Sequence, residues 1–371
     1  FEQGSSSRDV HIVAQGIFPG AKGLAALRRP AGRLKAPRRA QPGEMAAVLF
    51  TSGSTGSPKG AVYTHEMFSA QVDALAAMFT LSAGDVTVPT FPLFGLFDVA
   101  LGMTAVLPRM DSTKPAFVDP REIIGAIETH GAAQLFGSPA LLDRVGRYAE
   151  ANGIRLPTLK RVLSAGAPVP AKVLSRFAAL LTPGAEVHTP YGATEALPVT
   201  TISSVELAAT AELTAQGRGV CVGRPVAGME VRIIAVGDEP IARWSPSLMV
   251  VPGTIGEIAV SGPVVSGHYF NRPRADALAK IPTEDGRFYH RMGDLGYFDD
   301  RGRLWFCGRK SQRLRLDCGT LHTVSCEGVF NAHPAVKRTA LVAAEVSGKI
   351  RPVLCVEAEN GADQNSLRSQ L

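Results

Sequence analysis

From residue 46 to residue 202, short apolar runs alternate with stretches of helical period. The runs at 46–50, 86–89, 104–107, 133–136, 161–164 and 186–189 have the length of buried strands. Between them, 66–80, 120–130, 139–152 and 170–181 repeat apolar residues every three or four positions, as one face of a helix requires. Three of these helices open on proline (Pro120, Pro139, Pro170), a residue that suits a first helical turn because its missing N–H has no partner there anyway. Strand–helix alternation predicts parallel pairing with helices on both faces, a layered α/β large domain. Such sheets meet ligands at the carboxyl ends of their strands, so the segment after 46–50 is expected at one such end.

The pattern changes at about residue 217. Short β-rich runs at 230–235, 256–261, 298 and 304–306 are punctuated by glycine and proline, which predicts an antiparallel β-rich subdomain. A smaller α+β segment follows, with a strand at 313–316, a helix at 325–332 and strands at 338–344 and 353–358. The expected organisation is a connector (1–45), a core (46–308), a hinge (309–312) and a small C-terminal domain (313–371). Gly348-Lys349, between the last two strands, reads as a hairpin turn.

Composition narrows the class. With 371 residues, 45% apolar and only 19% charged, the chain can bury a large core and is not a disordered polymer. No run of eighteen apolar residues occurs, so no membrane-spanning helix is expected, and the N-terminus lacks a secretory signal pattern. Five cysteines (Cys221, Cys307, Cys318, Cys326, Cys355) form no C-x-x-C pair and no metal-ligand spacing, which suits a reducing cytoplasm. The net charge of +6 is local. Residues 1–44 hold eight Lys/Arg against Glu2, Asp9 and Glu44, an excess of five. Pro30, Pro37 and Pro42 interrupt that basic stretch and no aromatics interleave it, so it reads as a solvated connector rather than a nucleic-acid patch.

Three motifs carry the chemistry. The first, Thr51-Ser52-Gly53-Ser54-Thr55-Gly56-Ser57-Pro58-Lys59-Gly60, follows an apolar run. Its glycines let backbone N–H groups, hydroxyls and one ammonium close around a polyphosphate. It is not a Walker loop, because Lys59 is flanked by Pro58 and Gly60. The second is Thr189-Pro190-Tyr191-Gly192-Ala193-Thr194-Glu195, where a ring can stack on a purine, a hydroxyl can bond a phosphate and a carboxylate can hold Mg²⁺. The third is Arg291-Met292-Gly293-Asp294-Leu295-Gly296-Tyr297, followed by Gly302-Arg303-Leu304-Trp305-Phe306 and Gly308-Arg309-Lys310, in which Asp294 can accept from both ribose hydroxyls and Arg309 can reinforce it. Alone, the second motif could be an ordinary turn and Asp-x-x-Gly-x-Leu a common hairpin.

In this order and at these separations, the three motifs resemble the adenylate-forming (AMP-dependent synthetase/ligase) superfamily across nearly the whole chain. Ser164-Ala165-Gly166-Ala167-Pro168 is similar to that family's adenine-cradling loop, although it could equally be a tight strand-to-helix turn. The resemblance implies ATP and Mg²⁺ as cofactors and attack of a carboxylate on the α-phosphorus, giving an acyl-adenylate and pyrophosphate. It places Thr51, Ser52, Gly53, Ser54, Thr55, Gly56 and Lys59 on the triphosphate and Gly166, Ala167 and Tyr191 on adenine. Thr194 would meet the α-phosphate, Glu195 the Mg²⁺, and Asp294 with Arg309 the ribose. Lys59, Thr194, Glu195 and Arg309 are the implied catalytic set.

Departures from the family pattern narrow the choice. Gly95 stands where many CoA ligases carry histidine, Ser311 and Gln312 follow Arg309-Lys310 at the hinge, and 313–319 lacks a Gly-Gly-Glu-Asn pattern. The runs Phe91-Pro92-Leu93-Phe94-Gly95-Leu96-Phe97-Asp98, Leu135-Phe136-Gly137-Ser138-Pro139-Ala140-Leu141 and His290-Arg291-Met292-Gly293-Asp294 resemble the OleC-type β-lactone synthetases of bacterial olefin biosynthesis. That resemblance implies a 2-alkyl-3-hydroxy acid with long alkyl chains, adenylated and then closed by its own 3-hydroxyl to a β-lactone. Other olefin-biosynthesis enzymes are its implied partners, with no nucleic acid. An acyl-CoA or acyl-AMP ligase and a non-turning-over nucleotide binder stay open as alternatives.

In the apolar run 91–107, core packing is the expected role of most residues, with Phe94, Gly95 and Phe97 as pocket candidates. His65 and His290 read as hydrogen-bonded structural residues. Against the family pattern, part of the N-terminal region is expected to be missing. The C-terminal domain is expected to be partial, without a Pro-x-Thr-x-x-Gly-Lys lysine.

Overall fold

The structure, a computed structural model, describes residues 12–13, 22–23, 39–51, 57–79, 81–317, 319–346 and 349–371. The chain forms two compact units, Phe1–Gln41 and Pro42–Leu371. In the first, two short strands, β1 (Ile12–Val13) and β2 (Lys22–Gly23), pair in parallel.

The second unit opens with β3 (Met45–Phe50) and β4 (Gly60–Thr64), an antiparallel hairpin apart from the main sheet. This corrects the expectation that 46–50 is the first strand of the parallel sheet. The glycine-rich segment joins two hydrogen-bonded strands, and Thr51 N–H donates to the Lys59 carbonyl at 2.9 Å to close its neck. Helix α1 (His65–Met78) follows directly, capped by the Thr64 hydroxyl, which accepts from Met67 N–H.

The main sheet has twelve strands among the described residues and two characters. One end is parallel, in the order β6 (Thr104–Ala105), β5 (Val86–Pro89), β7 (Gln134–Phe136), β8 (Arg161–Leu163) and β9 (Glu186–Ala193). The helices α2 (Phe94–Ala100), α3 (Pro120–His130), α4 (Pro139–Ala151) and α5 (Ala171–Ala178) connect these strands. Asp119 and Ser138 cap α3 and α4, whose first turns hold Pro120 and Pro139 as expected, whereas Pro170 stands one place earlier, as the cap of α5. Ile123, Ile127, Leu141, Leu142, Val145 and Phe177 pack beneath this end as a fully buried core.

At β9 the chain turns through Thr194 and Glu195 into β10 (Ala196–Ser203), antiparallel to it. From there the sheet is antiparallel: β11 (Val220–Pro225), β16 (Leu304–Arg309), β15 (Phe288–Phe298), β13 (Gly256–Ser261) and β12 (Glu230–Ile234), with β14 (Lys280–Pro282) on β15. The β-rich region is thus a continuation of the parallel sheet through a single hairpin. Of the third motif, residues 291–297 lie inside the eleven-residue strand β15, and the Asp-x-x-Gly-x-Leu string at 299–304 forms the hairpin into β16 that its pattern suggests, with Asp299 N–H donating to Arg303 O.

Beyond β16 come a short hairpin of β17 (Leu314–Leu316) and β18 (Gly319–Leu321), the helix Thr323–Asn331, and a long antiparallel pair, β19 (Val336–Val346) and β20 (Lys349–Ala358). Lys349 opens β20 opposite Val346, and Gly348 lies outside the described residues. This segment rests on α4 and α5 through Glu359, which takes Lys172 Nζ at 2.6 Å and Arg147 Nη2 at 3.4 Å.

Candidate active site

A cleft of about 960 Å³ opens where the parallel half of the sheet gives way to the antiparallel half. Its wall includes Thr51, Ser57, Lys59, Gly166, Thr194, Glu195 and Arg309, drawn from all three motifs, and reaches Lys310 and Ser311 at the expected hinge. Residues 52–56 of the first motif lie outside the described residues. The β3–β4 hairpin is fixed to this wall by backbone bonds: Val62 N–H to His268 O at 3.0 Å and Phe270 N–H to Gly60 O at 2.8 Å. The Tyr63 hydroxyl donates to Thr194 O at 2.6 Å, and burial pushes that phenol up to about 12, so it stays a donor at neutral pH. Lys59 Nζ sits 4.7 Å from the centre of the Tyr269 ring.

The Tyr191–Glu195 turn needs its glycine. A Cβ on Gly192 would collide with the Ala196 carbonyl oxygen and lie 2.8 Å from Leu197 Cδ1, so the tight reversal from β9 into β10 admits no larger residue. Glu195 is 9% exposed, and Tyr269 OH donates to its Oε1 at 2.6 Å. Burial and the nearby Glu195 charge raise the Tyr269 hydroxyl far above its ordinary range, which keeps it the donor.

Cross-strand register makes the Asp294–Arg309 pair. The two residues stand opposite each other on β15 and β16, and Arg309 Nη1 donates to Asp294 Oδ1 at 2.9 Å. Tyr191 OH donates to Asp294 Oδ2 at 2.7 Å, which ties the second motif to the third. Asp294 is 3% exposed, and burial raises its carboxyl against the opposing pull of Arg309. Each oxygen retains a lone pair for another donor.

Two residues at this site, Glu257 and Lys280, carried no motif. Glu257, 1% exposed, is shared by Arg291 (Nη2 at 2.6 Å) and Lys310 (Nζ at 2.9 Å), which anchors the segment just after Arg309. Lys280 stands opposite His290 across β14 and β15; burial lowers its ammonium to about 8, and its Nζ donates to Ser266 O. His290 is 2% exposed, lines the cleft and has no partner on Nδ1, and burial holds its ring neutral. His290 is thus buried and hydrogen-bonded to the Ala279 backbone, as a structural residue would be; His65 stands exposed at the start of α1.

An apolar pocket adjoins the cleft and shares Phe94, Phe136, Ala165, Pro190 and Leu197 with it. Leu75, Phe79, Phe97 and Leu101 line its deeper part. Gly95 lies on the opposite side of α2, where a Cβ would sit 3.4 Å from Pro89 Cγ and 3.6 Å from the Ala105 methyl, and it is not on either wall. Core packing does not describe the whole run: Phe97 and Met103 are buried, but Leu96 and Val99 are each 63% exposed. Asp98, 6% exposed, projects into the pocket, and burial pushes its carboxyl up to about 6.

That shift has a measurable consequence. The unfolded chain ionises Asp98 near 3.9, so wild-type stability falls as pH rises from about 4 to 6 and the loss is complete above 6. Asp98→Asn has no such loss. Its stability relative to wild type is expected to rise by up to about 3 kcal/mol between pH 4 and pH 7.5, read by urea unfolding at both pH values. A difference independent of pH would contradict the assignment.

Comparison with known proteins places this geometry in a lineage. The family model described as AMP-binding enzyme matches residues 3–270. An olefin β-lactone synthetase from Stenotrophomonas maltophilia is 50% identical over 358 residues, covering 95% of this chain and 64% of that protein. A second, from Xanthomonas campestris, is 50% identical over 322 residues, 86% of this chain and 57% of that protein. The chain thus spans about three-fifths of the length of these relatives. Among solved structures, the O-succinylbenzoate coenzyme A synthetase of Bacillus subtilis in complex with AMP superposes with a TM-score of 0.74 at 22% identity, covering 94% of this chain and 67% of that one. An amide bond synthetase from Marinactinospora thermotolerans gives 0.75 at 23% identity, over 98% and 68%. These two likenesses concern the fold. With the three motifs gathered on one cleft and the family model spanning most of its length, the chain belongs to the AMP-binding, adenylate-forming enzymes.

Proposed function

We propose that this protein activates a long-chain 2-alkyl-3-hydroxy acid with ATP and closes it to a β-lactone, releasing pyrophosphate and then AMP. The observation that carries the reading is a single cleft lined by Lys59, Thr194, Glu195 and Arg309, with Asp294 held against Arg309 behind the wall, and sharing its wall with an apolar pocket. The identity to two olefin β-lactone synthetases supports the lactone as product.

In this reading the substrate carboxylate attacks the α-phosphorus and pyrophosphate departs. Lys59 and Thr51 meet the phosphates from the β3–β4 hairpin, Thr194 holds the α-phosphate from the β9–β10 turn, and Ser52, Gly53, Ser54, Thr55 and Gly56 complete the phosphate loop. Gly166, Ala167 and Tyr191 flank adenine, while Asp294 and Arg309 take the ribose. Among the described residues no three His, Cys, Asp or Glu side chains cluster to hold a metal alone. A lone buried carboxylate, Glu195, together with phosphate oxygens matches the way Mg²⁺ is bound in nucleotide sites. Bound there, Mg²⁺ would neutralise charge gathering on the phosphates. The 3-hydroxyl then attacks the acyl carbon, and the acyl–phosphate bond breaks with its electrons leaving on AMP. The nucleophile is already tethered, so proximity does what a second substrate does in thioester formation.

Four described cysteines are free thiols, and no described helix is long and apolar enough to cross a membrane. Incubating the full-length protein with Mg·ATP and one 2-alkyl-3-hydroxy acid is expected to yield pyrophosphate and lactone, read by coupled assay and mass spectrometry. Thioester formed only when CoA is added, without lactone, would replace this reading with an acyl-CoA ligase.

A further inference from the structure

The apolar pocket beside the cleft contains three polar side chains that the adenylation chemistry does not use. Gln71 on α1, Asp98 on α2 and Gln134 on β7 all line it, and they are 4%, 6% and 3% exposed. The orientation of Gln71 is fixed, because its Nε2 donates to the Leu197 carbonyl at 2.7 Å. Its Oε1 therefore faces away from that bond, buried and without a partner. Gln134 Nε2 donates to Asp98 Oδ1 at 3.3 Å, and Gln134 Oε1 is likewise buried and unpartnered. The atoms of the group left without any partner are the two amide oxygens, which stand beside the free lone pairs of a carboxyl, all of them acceptors.

Burial of unpartnered polar atoms in an apolar wall is costly, and a ligand that supplies the missing donor recovers that cost. Burial pushes Asp98 up to about 6, with the Thr87 hydroxyl holding the rise in check, so at neutral pH the group carries a negative charge that also calls for a donor. A plain alkyl chain offers none. Leu197, whose carbonyl orients Gln71, lines the cleft and the pocket alike, so the group lies just behind the wall that the two share.

We propose that Gln71, Asp98 and Gln134 form a hydroxyl-recognition point in the acyl pocket, which selects hydroxylated acids over their unsubstituted counterparts. This rests on the hydroxy-acid reading above and names the residues that would enforce it. Asp98 is a specificity residue in this account, accepting a hydrogen bond from the substrate hydroxyl, with Gln71 oriented as a second acceptor. A buried hydrogen-bonding site discriminates strongly because the analogue lacking the hydroxyl leaves acceptors unpaired.

The test is direct binding by calorimetry of a 2-alkyl-3-hydroxy acid and the same acid lacking the hydroxyl to the full-length protein, without ATP. Wild type is expected to bind the hydroxy acid at least about 10-fold more tightly, the range of a hydrogen bond to a charged acceptor. Asp98→Leu is expected to reduce the ratio to within about 3-fold of unity by weakening the hydroxy acid while leaving the plain acid unchanged or tighter. Gln71→Met should lower the ratio in the same sense. If Asp98→Leu does not fold, Asp98→Asn, which keeps the shape, decides the matter by a fall of at least about 3-fold. Equal affinities in wild type, as when a fixed water alone satisfies the acceptors, would overturn the proposal, as would an equal loss for both acids in the variants. Because binding is read without turnover, a failure to release pyrophosphate would count against the adenylation reading and leave this result standing.

Discussion

Glu195→Gln is expected to reduce Mg·ATP-dependent pyrophosphate release by about 10²–10³-fold, the loss typical of removing one group that stabilises charge in a transition state. The substitution is nearly isosteric. Gln can still accept from Tyr269 OH, the bond seen at 2.6 Å, so the β9–β10 turn and the wall around it are expected to stand. What disappears is the negative charge facing the phosphate end of the cleft. The loss should therefore appear in kcat and in the Mg²⁺ dependence, with the melting temperature nearly unchanged. Rates like those of wild type at ordinary Mg²⁺ would remove Glu195 from the metal site.

The largest stability effect is expected at Glu257, the second residue of β13, which answers two cations. Arg291 Nη2 and Lys310 Nζ approach it at 2.6 and 2.9 Å, and its side chain and that of Arg291 are 1% and 2% exposed. Removing the charge with Glu257→Gln leaves a buried guanidinium and a half-buried ammonium with carbonyl partners only. Breaking a buried pair from one side costs about 3–5 kcal/mol, a fall in melting temperature on the order of 10 °C for a domain of this size. Function should suffer as well, since Lys310 follows Arg309, and Arg309 holds Asp294 at 2.9 Å. An unchanged melting temperature would show that Arg291 finds sufficient compensation in the carbonyls of Gly237, Glu239 and Leu278.

Much of the fold was legible along the chain. The strands of the parallel half and helices α1, α3, α4 and α5 follow from hydrophobic period, because a buried strand and an amphipathic helix each impose a repeat on their own residues. The hairpin nature of the glycine-rich segment was not legible. Residues 46–50 have strand character whichever partner they take, and the choice of β4 over the sheet depends on residues 60–64 and on the distant carbonyl of His268. The Asp294–Arg309 pair shows the same division: both residues stand in recognisable motifs, but only the β15–β16 register sets them face to face.

The sequence by itself determined the lineage, since the glycine-rich segment, the Tyr191–Glu195 turn and the Asp294–Arg309 segment are local strings that keep their meaning wherever they fold. Tertiary structure alone decided what surrounds them. Tyr269 on Glu195, Glu257 between Arg291 and Lys310, and the acceptor group of Gln71, Asp98 and Gln134 unite residues up to about 75 positions apart, and Tyr269, Glu257, Gln71 and Gln134 lay in no motif. The physical reason is that burial and pairing are properties of a neighbourhood. Asp98 in an apolar helix looks along the chain like an interruption, and only the pocket around it turns that interruption into a site.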